Sequence, residues 1–321
     1  MKIAIVVPVS PFESEEILRK SIEHLRSLDY DDFEVKIVYV IDRASGEDRR
    51  KEIAEELGVE VLLRDSRRGK RAGAINDALN FLADFKPNYI AIFDVDSRPE
   101  RNFVVECVKA LKNCHDCYIA SSKRYINNGI NLVSETVEAE YNLINFLLKR
   151  SKFKQFNGMI GVLRGSVLME KRLNEWAVAE DADFATRMHA EGFKGVLVET
   201  TKLYEQAPLT WKDLYSQRKR WYYGGLQLWR YRRKMKNAKR GVRFSWYMAL
   251  TLTYLPVLYI PFIILISPFL LLYHYRSVSK IKVMIGLVVH AILLQIAAVN
   301  ALITYIRRRD VEWDAIKRVI D

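Results

Sequence analysis

Two long stretches near the carboxyl end of the chain contain no charged side chain. Residues 244–275 and 283–306 lack Asp, Glu, Lys and Arg altogether. A helix needs about 20 apolar residues to cross the hydrocarbon core of a bilayer, and a buried helix of a soluble protein rarely runs that far without a charge. We therefore predict a hairpin of two transmembrane helices within 244–306, over about 250–275 and 283–306, with a kink or an interfacial segment near Pro256.

The positive charge of the chain is concentrated just before these stretches. The net charge of the 321 residues is +12, and residues 211–243 hold twelve Lys and Arg against a single acid, Asp213. A charge confined to one segment beside an apolar stretch indicates contact with anionic membrane lipids, not with nucleic acid. The positive-inside rule places this flank in the cytoplasm. We expect a multi-pass protein of the cell membrane, with a catalytic domain at 1–210 and a tail at 307–321 in the cytoplasm.

The first hundred residues alternate between short apolar strands and helical segments. Strands are predicted at 3–10, 35–42, 59–65 and 89–96, and helices at 13–28, 47–57 and 72–85. This order indicates an open, mostly parallel α/β sheet with helices on both faces, whose ligands bind beyond the carboxyl ends of the strands. Asp42 ends the second strand, and Asp94 and Asp96 end the fourth. All three carboxylates are therefore expected on the ligand-binding edge of the sheet.

Beyond Ser122 the pattern is less regular. Helices are predicted at 132–150 and 181–191, with a loop, KFKQFNGMIGVLRGS, at 152–166 between them. Residues 211–233 read as an amphipathic helix that mixes Trp, Tyr and Arg, a composition typical of the membrane interface.

The two aspartates of the sequence DVD at 94–96 form a candidate metal site. Side chains alternate along a strand, so both carboxylates point to one side, and two like charges so close are unfavourable without a cation. Mg²⁺ or Mn²⁺ commonly uses one or two carboxylates together with substrate phosphates. We predict a divalent metal on Asp96 and Asp94; solvated loop charges are the alternative. The chain has neither GxGxxG nor GxxxxGK[ST], which argues against dinucleotide and P-loop sites.

Four short motifs then occur in a specific order. They are Asp42, DVD at 94–96, AED at 179–181 and QRKRW at 217–221. This set resembles the D, DxD, ED and QxxRW motifs of family 2 glycosyltransferases, in particular the branch of cellulose, chitin and hyaluronan synthases. RAGAINDAL at 71–79 and FNGMIGVLRGSVL at 156–168 resemble further segments of that branch, so the resemblance covers about residues 3–225.

The resemblance implies a GT-A-like fold, a UDP- or GDP-sugar donor and inversion at the anomeric carbon. Asp42 would contact the nucleoside, Asp94 would lie against the nucleotide, and Asp96 would be the more direct metal ligand. Asp181 would be the general base. Gln217 and Arg220 would steady the diphosphate, and Trp221 would form a platform for the acceptor sugar.

Several of these residues have a second interpretation. Glu180 could share the negative field beside the acceptor, but we favour a helix cap for it, and Asp181 could also be a cap. Lys70 and Arg71 are expected near the diphosphate or as solvated loop charges, and Arg220 and Trp221 could be membrane anchors. The chain departs from the family pattern where Arg43 follows Asp42, Arg71 replaces a Lys and Ala179 replaces a Thr.

We expect a membrane-bound inverting glycosyltransferase that uses a lipid-linked or saccharide acceptor in glycan or polysaccharide biosynthesis. Two spans cannot enclose a polar channel, so a lone subunit should add one or a few sugars. The alternatives are a processive synthase that acts as a homo-oligomer or with a partner protein, a polyprenyl-phosphate glycosyltransferase, and a non-catalytic basic scaffold at the membrane surface.

The chain contains three cysteines, Cys107, Cys114 and Cys117. Cys114 and Cys117 form a lone CxxC, and a structural zinc site would need two more ligands. We expect reduced thiols, as in most cytoplasmic proteins.

Overall fold

A computed structural model describes residues 1–309 as two compact units. The first unit consists of Met1–Arg124 and Phe153–Glu205, and the second of Tyr125–Lys152 and residues 206–309. The predicted limits at 210, 243 and 306 stay predictions, and most of the tail predicted at 307–321 lies outside the described residues.

Eight strands form one mixed sheet in the order β3-β2-β1-β4-β7-β6-β8-β5. They are β1 Lys2–Val9, β2 Glu34–Asp42, β3 Glu60–Arg64, β4 Tyr89–Ile92, β5 Arg98–Pro99, β6 Cys117–Ile126, β7 Gly161–Arg164 and β8 Lys194–Glu205. Strands β1 to β4 are parallel, and β7 runs antiparallel to both β4 and β6, so five strands, β1 to β4 and β6, share one direction. The predicted mixed, mostly parallel α/β sheet is confirmed.

Eleven α-helices complete the described chain. The first unit contains α1 Glu15–Arg26, α2 Arg50–Glu56, α3 Lys70–Phe81, α4 Phe103–Lys112, α6 Gly165–Lys171 and α7 Glu180–Ala190. The second contains α5 Leu132–Arg150, α8 Trp211–Leu228, α9 Arg240–Leu252, α10 Ile260–Tyr275 and α11 Lys282–Ile306. The helix predicted at 211–233 is shorter than expected, since the chain continues as 3₁₀ turns at Trp229–Tyr231 and Lys234–Asn237.

The core of the first unit lies against the central strands. β1 is almost entirely β-branched or Ala, and its residues Ile3 to Val7 have no solvent exposure. A strand that is buried on both faces reads as a continuous apolar run, as this one does. The carboxyl ends of these strands therefore project from a rigid, buried layer.

The fourth strand ends earlier than the sequence predicts. β4 stops at Ile92, so Asp94 and Asp96 lie in the turn beyond it and not on the strand. The side chain of Ser97 accepts a hydrogen bond from the Asp94 amide at 3.1 Å, and the Ser97 amide donates to the Asp94 carbonyl at 2.9 Å. These two bonds turn the chain away from the sheet.

The second unit contains two helical segments long and apolar enough to cross a membrane, Pro256–Tyr275 and Val278–Ile306, of 20 and 29 residues. The first begins at Pro256, after a break at Thr253 to Leu255 that separates it from α9. The first residues of the second segment contact α5, because Lys280 and Lys282 form ion pairs with Glu135 at 3.0 and 3.3 Å.

Two of the cysteines form a disulfide, which corrects the expectation of reduced thiols. Cys114 and Cys117 are joined across the turn that follows α4, while Cys107 is a buried free thiol. The Cys117 amide donates to the Cys114 carbonyl at 3.1 Å, and this tight turn brings the two Cα atoms to 5.3 Å, within the usual range for a disulfide.

Candidate active site

Asp42 occupies the carboxyl end of β2, as the sequence predicts. It pairs in register with Arg64 at the end of β3, and the Arg64 guanidinium donates to its carboxylate at 2.8 Å. Both side chains are buried. Arg64 also forms an ion pair with Asp77 of α3 at 2.9 Å, so it links Asp42 to that helix.

Burial raises the pKa of Asp42 above its ordinary value, although Arg64, Arg67 and Arg50 act in the opposite direction. The backbone carbonyl of Asp42 also accepts a hydrogen bond from Arg50 at 2.9 Å. A partly desolvated acceptor at a strand end is suited to a neutral donor such as a nucleoside N–H or O–H.

Asp94 and Asp96 are half-exposed, and they alternate with Phe93, Val95 and Ser97, which are buried. The alternation continues beyond the strand, so both carboxylates still point away from the core. Asp94 forms an ion pair with Arg71 at 2.9 Å.

Arg71 joins three parts of the site. Its guanidinium donates to Asp94 at 2.9 Å, to Glu180 at 3.0 Å and to the Gly158 carbonyl at 2.5 Å. Burial would lower the pKa of Arg71, but the charges of Asp94, Glu180 and Asp181 outweigh it and raise the pKa above its usual range. Arg71 therefore remains a cation, and it is not the solvated loop charge that was one of its two interpretations.

The loop around Gly158 holds Asp181. The Gly158 amide donates to the Asp181 carboxylate at 2.6 Å. Gly158 has a φ of +59°, and a β-carbon there would lie 3.2 Å from the Asp94 carboxylate. Arg124 donates to the carbonyl of the preceding residue, Asn157. The loop thus contacts Asp94, Arg71 and Asp181 together.

Glu180 and Asp181 are the first two residues of α7, where the helix dipole favours negative charge. The N-cap is Ala179, which makes no side-chain capping bond. The preferred interpretation of Glu180 as a cap is therefore wrong: its carboxylate binds Arg71 instead.

Lys70 begins α3 with a φ of +50°, directly after Gly69 at +63°. Its side chain is exposed, whereas that of Arg71 is nearly buried. The two adjacent basic residues consequently have different environments.

Gln217, Arg220 and Trp221 lie on α8, in the second unit. Their spacing of three and four residues places them on one face of the helix, and each is half-buried. Arg218, between them in sequence, is buried.

The residues at the DVD turn suit a divalent metal that arrives with a phosphate. The hard carboxylate oxygens of Asp94 and Asp96 match the preference of Mg²⁺ and Mn²⁺. Of the two carboxylates, Asp94 is paired with Arg71 at 2.9 Å. Within residues 1–309, the group of three ligand-type side chains within 4.8 Å is Cys114, Asp116 and Cys117, and its two cysteines form the disulfide. Two carboxylates at the DVD turn do not form a complete cage, so diphosphate oxygens would complete the coordination.

Sequence reasoning missed Arg64 and Gly158. Arg64 ends β3 beside Asp42, and because parallel strands end at one edge, its position was a usable signal. Gly158 lies in the segment FNGMIGVLRGSVL, whose resemblance to the family was noticed without a role for the glycine.

Two family models match the chain, each over more than half of its 321 residues. The model of glycosyl transferase family 2 matches residues 5–168, and that of glycosyl transferase family group 2 matches residues 89–303.

Curated relatives include plant enzymes. Glucomannan 4-beta-mannosyltransferase 7 of Arabidopsis thaliana is 25% identical over 242 residues, which cover 70% of this chain and 43% of that protein. Glucomannan 4-beta-mannosyltransferase 9 of the same plant is 27% identical over 182 residues, or 54% of this chain and 34% of that protein. The chain spans less than half the length of these two relatives.

Solved structures confirm the GT-A-like fold. Mannosyltransferase PcManGT from Pyrobaculum calidifontis, in complex with GDP-Man and Mn²⁺, has a TM-score of 0.63 at 14% identity and covers 96% of this chain and 88% of that one. S. aureus TarS 1-349 in complex with UDP has a TM-score of 0.52 at 15% identity, and covers 98% and 94%.

Proposed function

The chain belongs to glycosyl transferase family 2, and from this premise we propose that it is a membrane-bound inverting glycosyltransferase. It would move a sugar from a nucleotide-sugar donor to a hydroxyl of a lipid-linked or saccharide acceptor, in glycan or polysaccharide biosynthesis.

The observation that carries the proposal is the hydrogen-bonded cluster of the first unit. Arg71 ties the Asp94 carboxylate to Glu180 and to the Gly158 carbonyl, while the Gly158 amide holds Asp181. A carboxylate fixed by one hydrogen bond beside a diphosphate-binding turn is suited to act as a base on an incoming hydroxyl.

In the proposed reaction, Asp181 accepts the proton of the acceptor hydroxyl as its oxygen attacks the anomeric carbon. The new glycosidic bond forms on the face opposite to the bond that breaks, and the nucleoside diphosphate leaves with that bonding pair. Attack from the opposite face inverts the configuration. Arg71 would hold Asp94 and the loop of Gly158 in fixed relative positions during this step, because it donates to both. This preserves the geometry that the displacement requires.

The remaining donor contacts are proposals from the family pattern. Asp42 would bind the nucleoside, and Lys70, Gln217 and Arg220 the diphosphate. Mg²⁺ or Mn²⁺, held by Asp96 and Asp94 together with the donor, would stabilise the negative charge of the leaving group. The Mn²⁺ and GDP-Man of PcManGT support this assignment, and the mannosyltransferase relatives make GDP-mannose the first donor to test, followed by UDP-sugars.

Trp221 would stack against an acceptor sugar, and Glu180 would lie beside it. A lone subunit would add one or a few sugars. A homo-oligomer or a partner protein would be needed for processive synthesis, because two apolar helices cannot enclose a polar path.

We also propose that the two apolar helices anchor the protein in the cell membrane, as a multi-pass segment, with the catalytic unit in the cytoplasm. The basic segment 211–243 supports this orientation and a contact with anionic lipids. A hairpin that crosses the bilayer twice places its turn on the side opposite to the catalytic unit, so a cysteine at Ser279 should be labelled from outside intact cells. Protection of that cysteine would mean that α5, whose Glu135 binds Lys280, and the turn both lie on the cytoplasmic side, and it would refute the two-span anchor.

The activity is tested by nucleoside diphosphate release from a panel of GDP- and UDP-sugars, with Mn²⁺ or Mg²⁺ and a saccharide or polyprenyl-phosphate acceptor. We expect metal-dependent release that increases with a saccharide or lipid-linked acceptor. Stimulation by polyprenyl phosphate alone would favour the polyprenyl-phosphate alternative. Absence of release across the panel would favour a non-catalytic scaffold.

A further inference from the structure

Three charged or titratable side chains meet between three helices of the second unit. They are Glu140 of α5, Arg218 of α8 and His290 of α11. Arg218 donates to the Glu140 carboxylate at 2.5 Å, and His290 Nε2 lies 3.7 Å from the same oxygen. Arg218 and His290 are only 3% and 4% exposed. Because burying an ion pair rarely adds stability by itself, this cluster requires another explanation.

The second contact of Arg218 supplies one. Its guanidinium carbon lies 4.0 Å from the centroid of the Trp221 ring, one helical turn further along α8. A cation over an indole face is attracted more strongly when the cation is desolvated, as the buried Arg218 is. Arg218 Nε is buried with no hydrogen-bond partner among the described residues. A buried N–H without an acceptor is unfavourable, so the guanidinium is not placed for hydrogen bonding alone.

We propose that Arg218 is a positioning residue that orients the indole of Trp221, and that Glu140 and His290 fix Arg218. The inference rests on the proposed function in one respect, since Trp221 is there the platform for an acceptor sugar. None of the three residues touches the sugar. They act through the ring, because the rigid, planar guanidinium of Arg218 lies over its face.

A second ion pair on α5 provides a matched control. Glu135 is buried, and it binds Lys280, just before α11, and Lys282, the first residue of α11, and not α8. Glu135→Gln and Glu140→Gln therefore each remove one carboxylate charge from the same helix, buried at Glu135 and partly buried at Glu140. The proposal requires that only the second change affects Trp221.

The primary readout needs no substrate. The full chain is labelled with 5-fluorotryptophan, and the ¹⁹F resonance of Trp221 is assigned with Trp221→Phe. We expect one sharp resonance in the wild type and in Glu135→Gln, and a broadened or split one in Glu140→Gln and Arg218→Lys. Lys keeps the charge but lacks the plane that holds the ring.

The second readout compares the KM for the acceptor with the KM for the donor, with mannotetraose as the acceptor probe and GDP-mannose as the donor. We expect the KM for mannotetraose to rise about tenfold in Glu140→Gln and Arg218→Lys, with the KM for GDP-mannose unchanged. If the single variants fail to fold, the double variant Glu140→Arg with Arg218→Glu retains an ion pair between α5 and α8. It should still give the broadened Trp221 resonance, because the guanidinium has left α8.

The inference is wrong if Glu140→Gln, Arg218→Lys or the double variant leaves the Trp221 resonance as sharp as that of Glu135→Gln. That outcome would mean that the cluster only holds α5, α8 and α11 together and does not orient Trp221. A failure of the platform role is seen separately: Trp221→Ala would then leave the KM for mannotetraose unchanged, whatever the ¹⁹F spectra show.

Discussion

Replacing Gly158 with Ala tests whether the loop holds the base. The Gly158 amide donates to Asp181 at 2.6 Å, and its φ is +59°. An L-residue in that conformation costs about 1–2 kcal/mol. The added methyl would lie 3.2 Å from the Asp94 carboxylate, which is closer than an ordinary contact, so the loop and Asp94 must move apart by a few tenths of an ångström.

Moving the loop weakens the hydrogen bond to Asp181. Hydrogen bonds to charged groups contribute about 1.5–3 kcal/mol, and each 1.4 kcal/mol corresponds to a factor of ten. We expect Gly158→Ala to lower turnover by about 10- to 100-fold, measured by nucleoside diphosphate release.

Gly192→Ala is the control. Gly192 has a φ of +95°, and a β-carbon there meets nothing within 4 Å. Its φ lies further from the left-handed helical value than that of Gly158, so the backbone strain is no smaller. Both variants should lose stability in thermal unfolding, and only Gly158→Ala should lose turnover. Equal turnover in the two variants would show that the loop does not position Asp181.

Two further substitutions separate metal binding from charge burial. Asp96→Asn should weaken Mn²⁺ binding about tenfold or more when GDP is present, measured by electron paramagnetic resonance; an unchanged titration would refute the ligand role. For Asp42, the folded pKa is raised above the ordinary 3.8, so its contribution to stability is full below about pH 4 and is lost as the pH rises through the folded value. Asp42→Asn should therefore leave stability at pH 7 within about 1 kcal/mol of the wild type, flatten the pH dependence of thermal unfolding and weaken donor binding. A loss of more than about 2 kcal/mol at pH 7 would mean that the ion pair with Arg64 outweighs the burial of the charge.

The sheet was predictable from sequence because its central strands are buried on both faces. Such strands appear as continuous apolar runs, and the carboxylate that ends β2 follows directly from the run. The end of β4 was not predictable in the same way. Its last residue is set by the hydrogen bonds of Ser97 to Asp94, which compete with the strand and leave no periodic signal.

The sequence predicts which residues form the site, but not the hydrogen bonds and ion pairs between them. Asp94, Asp181 and Arg71 stand out as residue types in ordered motifs. The bridge through Arg71 joins residues separated by 23 and 109 positions, and no local pattern encodes such contacts. For the same reason the sequence does not distinguish the two roles of Glu180. A carboxylate at the start of a helix has the same sequence pattern whether it binds a backbone amide or a distant arginine, as Glu180 binds Arg71.

The central claim is that Asp181 is the base of a single inverting displacement. Asp181→Asn keeps the shape and removes the proton acceptor, and the measurement is turnover beside the dissociation constant for the nucleotide-sugar donor. We predict a fall in turnover of about 10²–10⁴-fold, with donor affinity within about twofold of the wild type. Turnover near the wild-type value, or an equal loss of turnover and donor affinity, would contradict the account.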